Sequence, residues 1–187
     1  TQKFYRVNGG STQLEGVKSD LVMPDRYSYI DIGERDYDNP LPYDKIEAAD
    51  YEVWNGYIDY EKTIKNSNER MLKSEQLRLI DENAKWIKTR RDDRTATLNY
   101  DDYKRDLESR IEDTKKFDPI DEYDNKLSYE SLPHEVKLMK QDTSLTEKRK
   151  RWHKSLSKDI YVEEAVNVLE DLEINTIKRT KVANVKN

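Results

Sequence analysis

All five glycines of this 187-residue chain lie at or before Gly56, and none follows. Glycine gives up more backbone freedom on folding than any other residue, so it weakens helix interiors. Residues 57–187 are therefore open to long helices, with only Pro119 and Pro133 as breaks. The first third is punctuated instead by Gly9, Gly10, Gly16, Gly33, Pro24, Pro40 and Pro42, a pattern of turns and loops. The chain divides on this basis into residues 1–62, short strands and loops, and residues 63–187, a helical domain.

Composition narrows the choice further. Only 34% of the residues are apolar, against about 45–50% in a typical globular domain, while 39% are charged and the net charge is −5. Such a chain suits a thin helical core. No apolar stretch approaches the ~20 residues a membrane span requires. With no cysteine, disulfides and Cys-ligated zinc or iron–sulfur sites are excluded. Lack of cysteine suits an oxidising compartment without fixing one. No signal peptide is read in these residues, and any targeting segment is expected to belong to a missing part. The chain opens on strand-like sequence at Thr1 and reads as a piece of a longer protein.

Residues 3–7 have strand character, with Tyr5 and Val7 on one side and Phe4 and Arg6 on the other. Asn8-Gly9-Gly10 supplies positive φ and predicts a hairpin turn. Val17–Met23 could hold another short strand, ended by Pro24. So few strands cannot make a self-sufficient sheet, and they read as the edge of a larger one. Asp38-Asn39-Pro40-Leu41-Pro42 reads as an extended or turn segment.

Helical periodicity begins at about Asn66 and runs to Arg91, with Leu72, Leu79, Ile80, Ala84 and Ile87 on one face. A second helix is expected to start at Asn99, whose side chain can cap it, and to carry Tyr100, Tyr103, Leu107 and Ile111. Phe117-Asp118-Pro119 should end it. Ser144-Leu145-Thr146-Glu147 matches a capping box ahead of a helix bearing Trp152 and Leu156. A last helix is expected from about Asp159, with Val162, Ala165, Val166, Leu169 and Leu172 as its apolar stripe. Beyond Thr176 the tail reads as frayed.

No constellation in these residues has the spacing of a catalytic or metal site. Ser11 follows two glycines, but a nucleophile elbow needs Gly at position 13, where Gln13 stands. His134-Glu135 opens like a zinc-binding helix, yet position 138 is Leu and not the second His. Pairs such as Asp92-Asp93 and Glu163-Glu164 are expected by chance among 39 acids, and nothing singles one out as acid and base. No catalytic, cofactor-binding or metal-ligating residue is assigned.

Lys148-Arg149-Lys150-Arg151, next to Trp152, His153 and Lys154, is the one dense basic run. Basic runs with aromatic neighbours can bind nucleic acid, but an acidic chain opposes the electrostatic attraction this needs. A solvated face or a surface for an acidic partner fits better, with Trp152 as the core anchor of its helix. The thirteen Tyr and the three Trp, Trp54, Trp86 and Trp152, are expected to supply most of the core, the other reading being an exposed binding surface.

Lys3-Phe4-Tyr5-Arg6-Val7-Asn8-Gly9-Gly10-Ser11-Thr12-Gln13 closely resembles the end of the protease core in tail-specific proteases, the carboxyl-terminal processing serine peptidases of bacteria. Gly16-Val17 and Asp20-Leu21-Val22-Met23-Pro24 are similar to the family's Gly-Val-x-Pro-Asp-Ile segment, with Ser19 where its Pro is usual. Ile32-Gly33-Glu34, Asp38-Asn39-Pro40-Leu41-Pro42, Leu98-Asn99-Tyr100 and Tyr161-Val162-Glu163-Glu164-Ala165-Val166-Asn167-Val168-Leu169 resemble its long bacterial form.

The resemblance implies a periplasmic endopeptidase with a PDZ module and a Ser/Lys dyad, acting on proteins with apolar C-terminal tails. In that family the dyad and the PDZ module lie upstream of the Lys-Phe-Tyr-Arg segment, so no catalytic residue carries over. A dyad Lys must also be desolvated to stay neutral, and Lys18 sits in a polar loop.

The expected fold is mainly α: a short β remnant of the protease core, then a helical C-terminal domain. The expected role is non-catalytic, a helical scaffold against the PDZ and catalytic domains of a parent protease. A surface for protein substrates or an adaptor protein is possible, and cofactors and nucleic acid have no part in it. The rival reading is a stand-alone helical interaction module unrelated to proteolysis. By itself the chain is expected to be inactive. The edge of residues 3–7, deprived of neighbours, should pair with another chain, dock onto the helices or be disordered.

Overall fold

A computed structural model describes residues 2–52 and 58–183, with side chains described up to Ile174. Among the described residues six α-helices follow an irregular N-terminal segment: α1 (Tyr60–Lys73), α2 (Glu75–Asp92), α3 (Tyr100–Lys115), α4 (Pro133–Met139), α5 (Thr143–Ser157) and α6 (Ile160–Ala183). The mainly α expectation holds. Trp54 lies outside the described residues.

No strand forms among the described residues, which departs from the β remnant expected at residues 3–7 and 17–23. What remains is two isolated antiparallel bridges, Tyr5 to Ser11 and Gly10 to Lys45. The turn itself is present: Arg6 N–H donates to Gly10 O (2.9 Å) and Gly9 N–H to Arg6 O (2.8 Å). Gly9 has φ +80°, and a Cβ there would stand 2.1 Å from Ile46 O, so the turn needs glycine on both counts. Residues 43–49 run along it, with Ile46 N–H donating to Gly9 O and Ala49 N–H to Val7 O. A ladder with so few rungs and no third strand does not propagate.

The helix expected over 66–91 is two helices. Ser74 adopts extended backbone (φ −77°, ψ 115°) and its side chain accepts from Leu77 N–H as the N-cap of α2. Leu72 falls just before that break and is 88% exposed, so it leaves the stripe predicted for it. Of the rest of the stripe, Ile80 and Ala84 are buried, with Leu77, which the predicted stripe omits, and Phe117, while Leu79 and Ile87 are half-buried; Trp86 tilts onto the Phe117 ring at 6.0 Å.

Asn99 caps α3 as predicted, accepting from Asp101 and Asp102 N–H. Asp142, not Ser144, caps α5, because its carboxylate reaches Ser144 and Leu145 N–H first. The α6 helix extends to Ala183, past the point at Thr176 where fraying was expected. The stretch between α3 and α5 holds a single 3₁₀ turn at Asp118–Ile120 and then α4. Its anchor is Asn125, which is buried. The Asn125 amide donates to Tyr129 Oη (2.8 Å), Leu156 O (2.8 Å) and Asp159 O (3.2 Å), fastening the connector to the elbow between α5 and α6.

Among the described residues tyrosine does not make the core: the buried apolar residues there are Leu77, Ile80, Ala84 and Phe117. Trp152, expected as an anchor, is 49% exposed. Phenolic oxygens need water or a partner, and a core this small offers few.

Candidate functional site

The α1 and α6 helices meet through a polar seam. Thr63 and Ser67 of α1 are buried on one side of the helix, with Arg70 one turn on. Small side chains at i and i+4 let the two helices approach closely. Glu164 and Asp171, two turns apart on α6, face them. Ser67 Oγ donates to Glu164 (2.6 Å), and Arg70 donates to both Glu164 oxygens and to Asp171 (2.7 Å). Asn66 adds a bond to Asp171 (2.9 Å). Burial opposes the charge on Glu164, but hydrogen bonds from Arg70, Ser67 and Asn167 outweigh it and hold its carboxyl below the ordinary range. The same balance lowers Asp171. The Glu163-Glu164 pair is thereby split. Glu164 closes the seam, whereas Glu163 accepts from Tyr123 Oη, and burial and then the neighbouring Glu164 charge push its carboxyl up.

The N-terminal segment is tied to the helices at two points. Tyr161 Oη of α6 donates to Pro24 O (2.9 Å), and Tyr29 Oη donates to Asp81 of α2 (2.6 Å). Between these ties lies an open groove of ≈ 1090 Å³, lined by Met23, Tyr27, Ile80, Phe117, Lys158 and Ile160 among others.

Two surfaces are left uncovered. Leu98, Tyr100, Tyr103, Leu107 and Ile111 are all exposed, and α3 has no buried residue; the stripe read from the sequence exists but faces outward. At the other end, Phe4 and Val7 are 67% and 61% exposed. No described residue pairs with the N–H or C=O of Tyr5, so that edge is open.

The residues weighed as chemical candidates stay apart. Ser11 is buried and its Oγ accepts from Gln13 N–H (3.2 Å) in the turn. His134 is exposed at the start of α4. Lys18 pairs with Glu15 in solvent. Asp93, after α2, is occupied with Thr95. Among the described residues no three or more of His, Asp and Glu converge as metal ligands. The Arg70 seam had no signal in the sequence beyond two acids seven residues apart on one helix.

A family model described as the C-terminal domain of tail specific protease matches residues 27–173. The chain belongs to that family. It is also 44% identical over 103 residues to a tail-specific protease of Haemophilus influenzae, an alignment covering 53% of this chain and 15% of the relative. The chain thus spans a small part of the curated relative it matches. No solved structure matches it. Among the described residues no helix is long and apolar enough to cross a membrane.

Proposed function

We propose that this chain is the non-catalytic C-terminal part of a tail-specific serine endopeptidase, a helical scaffold that braces the end of the catalytic core. Residues 1–62 complete the protease core, and residues 63–187 form the helical domain joined to it. The parent enzyme is periplasmic, binds C-terminal tails through its PDZ module, and cleaves with a Ser/Lys dyad outside this chain.

The observation that carries this reading is the open backbone edge at Tyr5, flanked by exposed Phe4 and Val7. Phe4 and Val7 are apolar and exposed, and the N–H and C=O of Tyr5 have no backbone partner among the described residues, a state that sheets resolve by adding a strand. The ties from Tyr161 and Tyr29 would then transmit the position of that strand to the helices. The exposed α3 stripe offers a second seat, for the catalytic domain, a substrate or an adaptor protein.

Hydrogen exchange tests the reading. In the intact protease, amides of residues 3–7 and of α3 should exchange much more slowly than in the 187-residue chain alone. Equal rates in both would contradict it.

A further inference from the structure

Most cations of α2 and all four of α3 pair with carboxylates on their own helices, whereas on α1 Lys65 does so and Arg70 reaches across to α6. Lys65 pairs with Glu69, Arg78 with Glu75 and Glu82, Lys85 with Asp81, and Lys88 with Asp92. On α3, Lys104, Arg105, Arg110 and Lys115 likewise meet a carboxylate three or four residues away. The α5 helix breaks this pattern. It holds five Lys and Arg residues and a single acid, Glu147. Glu147 is used by Lys150, and Arg149 is taken by Glu135 of α4. Lys148, Arg151 and Lys154 are exposed and have no carboxylate partner among the described residues.

Trp152 stands among them. Lys148 precedes it by four residues and Arg151 adjoins it, so all three share one side of the helix. The inner side carries Leu145, Arg149, His153 and Leu156, which are half-buried. Trp152 is held in place: the Arg149 guanidinium lies 5.0 Å from its ring centre, and His153 tilts against it at 5.7 Å. His153 in turn stacks on Tyr129, which donates to Leu156 O. An exposed indole fixed by an ion-paired arginine loses little freedom on binding, and Trp and Arg are among the residue types enriched at binding hot spots.

We infer that the outer face of α5, Lys148, Arg151 and Trp152, is a docking surface for an acidic polypeptide segment with an apolar side chain to cover the indole. Unneutralised cations select an acidic partner. A polypeptide is favoured over nucleic acid because the chain's net charge of −5 repels a long polyanion that extends beyond the basic face. The inference does not rest on the proteolytic role proposed above.

The test uses the full 187-residue chain and a labelled peptide of Glu, Asp and Leu, read by fluorescence anisotropy. Binding should be saturable and should weaken at least roughly tenfold in Lys148→Glu/Arg151→Glu. Trp152→Ala should weaken it comparably, and Trp152→Phe should retain most of it. If Trp152→Ala loses its far-UV helical signal, the charge-reversal pair, which changes only exposed side chains, decides. Absence of peptide binding overturns the inference, as does equal binding by the charge-reversed chain. Tighter binding of oligo-dT or of phosphatidylglycerol vesicles than of the peptide, lost on the same substitutions, also overturns it in favour of a different class of partner.

Discussion

Arg70 of α1 grips the Glu164 carboxylate of α6 with both Nε and Nη2, the latter at 2.7 Å, across a separation of 94 residues. A buried carboxylate held in this way is costly to orphan. Arg70→Met should destabilise the chain by about 3–5 kcal/mol, the range for removing one partner of a buried pair. Urea unfolding followed by circular dichroism would measure it. Glu164→Gln, which keeps a hydrogen-bonding side chain in the seam, should cost less than Arg70→Met.

The same seam sets an acid limit. Glu164 and Asp171 titrate below their ordinary values of 4.5 and 3.8 in the folded chain. A lowered carboxyl contributes stability that is fully present above its unfolded value and lost as pH falls through the folded one. Stability should therefore be flat from neutral pH to about 5 on this account, then decline in acid. Arg70→Met should blunt that decline. An acid limb unchanged in the variant would show that other groups control it.

Asn125 predicts a local effect. Asn125→Ala removes the amide that reaches Leu156 O and Asp159 O at the elbow between α5 and α6 and Tyr129 Oη on the connector, at a cost of about 1–3 kcal/mol. Amide exchange should rise first at residues 125–129 and 156–159. A uniform loss across all helices would contradict the anchoring role.

For α3 the expectation is reversed. Leu107→Glu with Ile111→Glu changes only exposed side chains, so the isolated chain should keep its stability within about 0.5 kcal/mol. In the intact enzyme the same pair should weaken docking of the helix, seen as faster exchange along α3. A large loss of stability in the isolated chain would mean that the stripe is already packed.

How far the sequence reveals this fold depends on which force acts where. The apolar face of α2 was legible in part because Ile80 and Ala84 repeat at helical spacing, though Leu77 was missed, and the cap at Asn99 because amide side chains at that position act locally. The break at Ser74 was hidden by Leu72, whose spacing extends the stripe while its side chain faces solvent. Trp152 misled for a related reason: its size and spacing suit a core, but its position on α5 follows from Arg149 and Glu135, contacts between helices that periodicity does not encode. The α1–α6 seam was invisible for the same reason, since serine, arginine and glutamate ordinarily mark an outer surface. At residues 3–7 the turn was readable and the strand was not realised, because two isolated bridges give too few rungs for a ladder to propagate.

The scaffold role is tested most directly in the full-length protease, by comparing turnover of a protein with an apolar C-terminal tail with and without residues 66–187. Bracing of the core by the helices predicts that the deletion lowers turnover sharply and loosens amide exchange at residues 3–7. Unaltered folding, tail binding and turnover in the shortened enzyme would contradict it.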